Sequence, residues 1–127
     1  MARPVSRHPT ELELEILKVL WEKGPLMGRE VRDALSAERD LTYQSIMTVL
    51  GIMEEKGYVA RKKQSGSFSY RAKVTQHLTA KRMMRDLVDR LFGGSATTAM
   101  LNLLETSDVS DEELSQITDL VKRLKKE

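Results

Sequence analysis

The hydrophobic repeat of the chain switches from a helical period of about 3.6 to a strand period of about 2 at Gly57, inside the stretch TYQSIMTVLGIMEEKGYVARKKQSGSFSYR, residues 42–71. Before the switch, Ile46, Val49, Leu50 and Met53 recur at i, i+3, i+4 and i+7, which puts them on one helical face. Thr42 suits an N-cap and Gly57 a left-handed C-terminal position, so a helix is predicted over 42–56. After the switch, YVARKK and SFSYRAK carry β-type residues on either side of QSGS, a tight hairpin turn centred on Gly66. Alternation sets Tyr58 and Ala60 opposite Val59 and Arg61, and gives Phe68 and Tyr70 a common face. A helix that runs through one glycine into a basic hairpin leaves few folds open.

What precedes it narrows the choice further. Thr10 and Glu13 form a capping box ahead of Leu12, Ile16, Leu17, Val19, Leu20 and Trp21, predicting a helix over about 10–22 that KGP closes. Leu26 and Met27 suit a short strand. A second helix is predicted over about 28–37, with Val31, Ala34 and Leu35 inward and Arg29, Glu30, Arg32 and Asp33 outward. Three helices followed by a two-stranded basic hairpin is the order of a winged helix-turn-helix, here residues 1–74. The remainder, 75–127, differs in kind. Thr75 caps a helix to about Phe92 with Ala80, Met84, Leu87, Val88 and Leu91 along one side. The segment ATTAMLNLL, 96–104, is apolar almost all round, including Met100, Leu101 and Leu104, and is expected to be buried between other helices. Ser110 and Glu113 make a second capping box, opening a helix over 111–125 whose stripe is Leu114, Ile117, Leu120, Val121 and Leu124. At 127 residues each half alone has a thin core. These stripes therefore point to a three-helix dimerisation module, against the alternative of local packing onto the first half. The expected class is mainly α with a small β hairpin.

Charge and surface chemistry point to a partner. The formal net charge is only +2, yet the run from Lys56 to Lys73 holds Lys56, Arg61, Lys62, Lys63, Arg71 and Lys73 and no acidic residue. Such a stripe is either a phosphate footprint or a solvated basic hairpin. The outer face of helix 42–56 is expected to carry Gln44, Met47, Thr48 and Gly51, with Ser45 and Ile52 on a flank, and no Lys or Glu before Glu54. Small uncharged groups let a helix sink into a groove, and glycine allows close backbone approach. The face fits the major groove of double-stranded DNA. Gln44 then offers an amide to adenine, while Ser45 and Thr48 contact bases or phosphates. Met47 either meets a thymine methyl or packs inward. Thr42 and Tyr43, at the start of the helix, complete its DNA-binding set. Lys62, Lys63, Arg61 and Ser67 hold the backbone from the wing. The same face also suits a partner protein, or DNA bound without regard to sequence.

Other classes find little support. The chain has no cysteine, hence no disulfide framework or thiolate metal site. His8 and His77 stand far apart, and neither a nucleophile–base pattern nor a phosphate-cradling glycine loop is present, so no enzyme, metal or cofactor is expected. The leading MARPVSRHP is basic with no apolar stretch behind it and no run reaches membrane-span length, which makes the cytoplasm the expected compartment. Arg3 and Arg7 form either an arm to DNA or a frayed end.

The pieces ELEILKVLWEKGP (13–25), REVRDAL (29–35), LTYQSIMTVLGIMEEKGYVAR (41–61), FSYRAKV (68–74) and LFGGSATTAMLNLL followed by LSQITDLVKRL resemble the penicillinase-repressor family of bacterial winged-helix regulators, the BlaI/MecI/CopY type. The resemblance spans nearly the whole chain. It implies a homodimer that represses transcription from an inverted-repeat operator, with recognition residues at Gln44, Ser45 and Thr48. TYQSIMT is similar to the family's common YTTVMT. Gly51 and Ile52 depart from it: members often carry a basic residue or a Gln-Arg pair there, so phosphate contacts implied by the family are missing. The copper-responsive branch ends in a cysteine-rich tail that this chain lacks, so copper sensing is not expected. In the β-lactam branch a sensor-linked protease cuts the helix equivalent to 96–104, and MLNLLE resembles that site, with the bond from Asn102 to Leu103 as counterpart. Asn102 is otherwise an ordinary polar position.

Overall fold

The computed structural model of the protein describes residues 8–37 and 39–126, so Arg3 and Arg7 lie outside the described residues. In chain order the elements are α1 (Glu11–Lys23), β1 (Leu26–Met27), α2 (Gly28–Leu35), α3 (Tyr43–Lys56), β2 (Val59–Gln64), β3 (Ser67–Ala72), α4 (Gln76–Leu91), α5 (Ala96–Thr106) and α6 (Asp111–Lys125). This is the mainly helical architecture with a small antiparallel sheet that the pattern predicts. The chain divides into two compact units, one ending at Met83 and the other beginning at Met84, so the division falls inside α4.

In the first unit, α1 starts on its capping box: the Glu13 amide donates to Thr10 Oγ1 at 3.2 Å and the Thr10 amide to Glu13 Oε1 at 2.8 Å. The Glu13 carboxylate has a second task. It is buried, and Lys56 Nζ, in the last turn of α3, donates to its two oxygens at 3.1 and 3.0 Å. A buried charge left unpaired is costly, so this pair fixes the end of α3 against the start of α1. Between them lies one core: Ile16, Leu17 and Leu20 of α1, Val31 and Leu35 of α2, Ile46, Leu50 and Met53 of α3, and Val59 and Tyr70 of the sheet. Trp21 packs at its edge, and its Nε1 donates to the Val74 carbonyl at 2.9 Å, tying α1 to the segment before α4.

Two local expectations change. Helix α2 stops at Leu35 and leaves Ala34 exposed. Eight residues carry room for one inward pair, Val31 and Leu35, four apart. The hairpin also gains a partner, because Leu26 and Met27 pair with Tyr70 and Ser69 to give the sheet order β1-β3-β2. The turn at Ser65 and Gly66 has φ of 50° and 80°, the mirror-image geometry whose twist suits a two-residue hairpin. Phe68 lies two residues from the buried Tyr70, reaches beyond the core edge and is exposed.

In the second unit, α5 is capped by Ser95, whose Oγ accepts from the Thr98 amide at 3.1 Å. Helix α6 opens on its predicted capping box, with the Glu113 amide donating to Ser110 Oγ and the Ser110 amide to Glu113 Oε1, each at 3.2 Å. That backbone hydrogen bond holds the Glu113 carboxyl below its ordinary value. Burial of 96–104 within one chain is not what is found. Of α5 only Ala99 is buried, and Met100, Leu101, Leu103 and Leu104 are exposed, as are Leu114, Ile117, Leu120, Val121 and Leu124 of α6. Met84, Leu87 and Leu91 of α4 are exposed too, while Val88 is half-buried. Three short helices have too little interior to enclose so many large side chains. Asn102 is exposed on α5, its carbonyl accepting from Thr106 Oγ1 at 2.8 Å.

Candidate nucleic-acid interface

With Ile46, Leu50 and Met53 turned inward, the opposite side of α3 presents Gln44, Thr48 and Gly51, flanked by Ser45 and Ile52, and all five are exposed. Thr42 caps the helix, its Oγ1 accepting from the Ser45 amide at 3.0 Å and donating to Ser45 Oγ at 2.9 Å. The Ser45 hydroxyl thus keeps its own proton to donate outward. Thr48 Oγ1 donates to the Gln44 carbonyl at 3.0 Å, which leaves its lone pairs facing solvent. The Gln44 amide makes no hydrogen bond among the described residues, so both donor and acceptor are free for a two-point contact with a base edge. A Cβ added at Gly51 meets nothing within 4 Å. Among the described residues no neighbour requires that glycine, although glycine in an exposed helix costs about 1 kcal/mol.

Met47 departs from the expected outer face. It is half-buried and packed on the core, with its sulfur 2.5 Å from where a Cβ on Gly28 would lie. At 100° per residue Met47 is only a quarter-turn from Ile46, a boundary position rather than an outward one. Glu54, seven residues on, shares this flank.

The wing's charge is narrower than the run of six cations suggests. Lys56 turns inward to Glu13. Arg61 pairs with Glu54 of α3, Nε to Oε2 at 3.3 Å, and its guanidinium stands 4.4 Å from the centre of the Phe68 ring. Lys62, Lys63, Arg71 and Lys73 are exposed and make no ion pair among the described residues. Strand register separates them further. Lys63 is opposite Phe68 and Lys62 opposite Ser69, so the two lysines project from opposite faces of the hairpin. Beneath them burial pushes the Tyr70 phenol above its ordinary value, with the Arg61 cation pulling the other way.

Wing tip and helix starts meet in a crevice of about 180 Å³ lined by Met27, Gly28, Arg29, Tyr43, Met47, Gly66, Ser67 and Phe68. This brings Tyr43 and Ser67 together, as a shared surface requires. It also brings in Arg29, which the pattern of α2 marks only as one of several solvent-facing charges. Periodicity could say only that Arg29 faces outward; which outward surface it joins depends on how α2 crosses α3.

Comparison with known proteins accords with this arrangement. The model of the penicillinase repressor family matches residues 9–123. The chain is 26% identical to the penicillinase repressor of Bacillus licheniformis over 116 residues, 91% of each protein. It is 21% identical to the methicillin resistance regulatory protein MecI of Mammaliicoccus sciuri over 111 residues, 87% of this chain and 90% of that one. Against the transcriptional regulator BlaI of Mycobacterium tuberculosis identity is 33% over 98 residues, 75% of this chain and 70% of that protein. A match over almost the whole length, on a chain whose first unit folds as three helices and a basic wing, means that the protein belongs to the penicillinase repressor family of transcriptional regulators.

Proposed function

We propose that the protein is a homodimeric, sequence-specific DNA-binding repressor rather than an enzyme, acting on an inverted-repeat operator. The observation that carries this reading is the outer face of α3: exposed, uncharged through its first three turns, with a free Gln44 amide and an unobstructed Gly51. In each subunit α3 enters a major groove. Gln44 pairs with adenine, and Ser45 and Thr48 reach bases or phosphates. Thr42 and Tyr43 sit against the backbone at the helix start, joined by Arg29 and Ser67 from the crevice. Lys62 and Lys63 neutralise phosphates from the two faces of the wing. Exposed apolar side chains of the second unit, Met84, Leu87, Leu91, Met100, Leu101, Leu104, Leu114, Ile117 and Val121, with Val88 beside them, meet their counterparts in a second copy. Two-fold symmetry then sets half-sites about one helical turn, or a small multiple of it, apart.

Repression is relieved, in this reading, by cleavage between Asn102 and Leu103 by a sensor-linked protease. The cut splits α5, removes apolar surface from the dimer contact and so uncouples the two half-site contacts. Support comes from family membership and from the apolar exposure of α5.

Selection of bound duplexes from a randomised pool, followed by titration at two salt concentrations, tests the core of the proposal. The expected result is a two-fold repeated sequence whose affinity falls as salt rises. A single unrepeated site, or binding indifferent to sequence, contradicts it. Absence of any salt-dependent binding would instead favour the use of α3 to dock a partner protein.

A further inference from the structure

We propose that Glu54, Arg61 and Phe68 form a latch that sets the angle of the wing against α3, and that Arg61 serves DNA binding as a positioning residue rather than as a phosphate contact. This rests on the DNA-binding reading above. The three groups come from three elements. Glu54 is on the Met47 flank of α3, Arg61 is in the middle of β2, and Phe68 is near the start of β3. In the hairpin register Arg61 faces Tyr70 and Lys63 faces Phe68, so the guanidinium and the Phe68 ring are diagonal neighbours on one face of the wing. The 4.4 Å stack fixes the plane of the guanidinium, and the 3.3 Å contact from Nε to Glu54 fixes its direction. Among the described residues no other ion pair joins α3 to the wing. Beyond Val59 and Tyr70 the hairpin is mostly exposed, with Ala60 and Ser69 half-buried; β1 holds β3 at Tyr70 and Ser69, and this cluster adds a side-chain tie from α3 to β2.

The sign of the charge at Glu54 separates the two roles. A carboxylate on the helix that approaches DNA repels phosphates, and one beside a supposed phosphate anchor cancels that anchor. If Arg61 gripped a phosphate, Glu54 would be a handicap, and its neutralisation would tighten binding. If Arg61 is a latch, Glu54 is half of it, and its neutralisation loosens the wing. Lys63, on the same wing face and without an ion pair among the described residues, supplies the comparison.

The experiment uses full-length protein and a labelled duplex that the wild-type chain has selected from a randomised pool, with affinity measured at several salt concentrations. Glu54→Gln is expected to bind about three- to tenfold more weakly, despite the lost negative charge. Arg61→Ala should lose a similar factor with an unchanged salt slope, and the double variant should be no worse than either single one. Arg61→Lys, which keeps the charge and loses the flat stacking surface, should resemble Arg61→Ala. Phe68→Leu should weaken binding too, and because Phe68 is exposed this variant folds; thermal melts followed by circular dichroism verify it for all. Lys63→Ala should lower the salt slope by about one unit, showing that the assay reads phosphate contacts. Equal or tighter binding by Glu54→Gln overturns the latch, as does a slope reduced by about one unit in Arg61→Ala. A wild-type chain with no salt-dependent affinity at all overturns the DNA-binding reading itself, an outcome distinct from both.

Discussion

Gln44 and Met47 are three residues apart on one helix, and they show what a side chain's setting decides. The exposed amide has no partner among the described residues, whereas the thioether is drawn onto the core beside Gly28. Gln44→Ala is accordingly expected to cost about 1–3 kcal/mol at a single base position and nothing elsewhere, measured by competition among singly substituted duplexes. A uniform loss across all duplexes would show that Gln44 contacts the backbone. The same contrast marks where sequence reading stops. Gln44, Ser45, Thr48 and Gly51 were legible because the apolar stripe fixes its opposite face. Met47 was not, because a residue a quarter-turn from the stripe goes inward or outward according to what lies beside it, here a glycine of another helix. The partners of Arg61 and Lys56 are hidden from the basic run for a similar reason. Their acids, Glu54 and Glu13, come from other elements, and no local pattern announces a pairing across 43 positions.

Elements were the easiest level to read, since caps and periods are local. Thr10 with Glu13, Ser110 with Glu113, Thr42 and Gly57 all mark helix ends where expected. The Glu13 carboxylate serves both the α1 cap and the end of α3, so Glu13→Ala removes a cap and strands a partly buried ammonium. Chemical denaturation should report a loss of about 2–4 kcal/mol, more than for Lys56→Ala, which leaves the cap intact. A loss no greater than that of an ordinary surface substitution would mean that the pair does not fasten α3. The sheet has a signature in alkali. Because burial raises the Tyr70 phenol, the unfolded chain ionises first, at the ordinary value near 10.0. The folded form is thus favoured fully below that pH, and stability drains away as pH climbs from there through the raised value. Tyr70→Phe should flatten the decline in denaturation midpoints above pH 10. If the slope is unchanged, ionisation of another group governs alkaline unfolding.

On the scale of the whole molecule, the apolar stripes of α4, α5 and α6 could be read from spacing, but their exposure in a single chain could not, since it depends on how little interior three short helices enclose. If a second copy covers them, Ile117→Asp should convert the sedimenting species from dimer to monomer at micromolar concentration and weaken operator binding at least tenfold, through loss of the paired half-site. Undiminished binding by a monomeric variant would show that one winged unit suffices. A practical corollary follows from where the aromatic side chains sit. Trp21, the sole tryptophan, and all three tyrosines, Tyr43, Tyr58 and Tyr70, belong to the unit that ends at Met83. Tryptophan and tyrosine fluorescence and absorbance at about 280 nm, where Phe92 does not absorb, therefore watch one half of the protein alone, while far-ultraviolet ellipticity watches both. Any gap between the two melting curves is the separate thermodynamic voice of the colourless half, audible without attaching a dye.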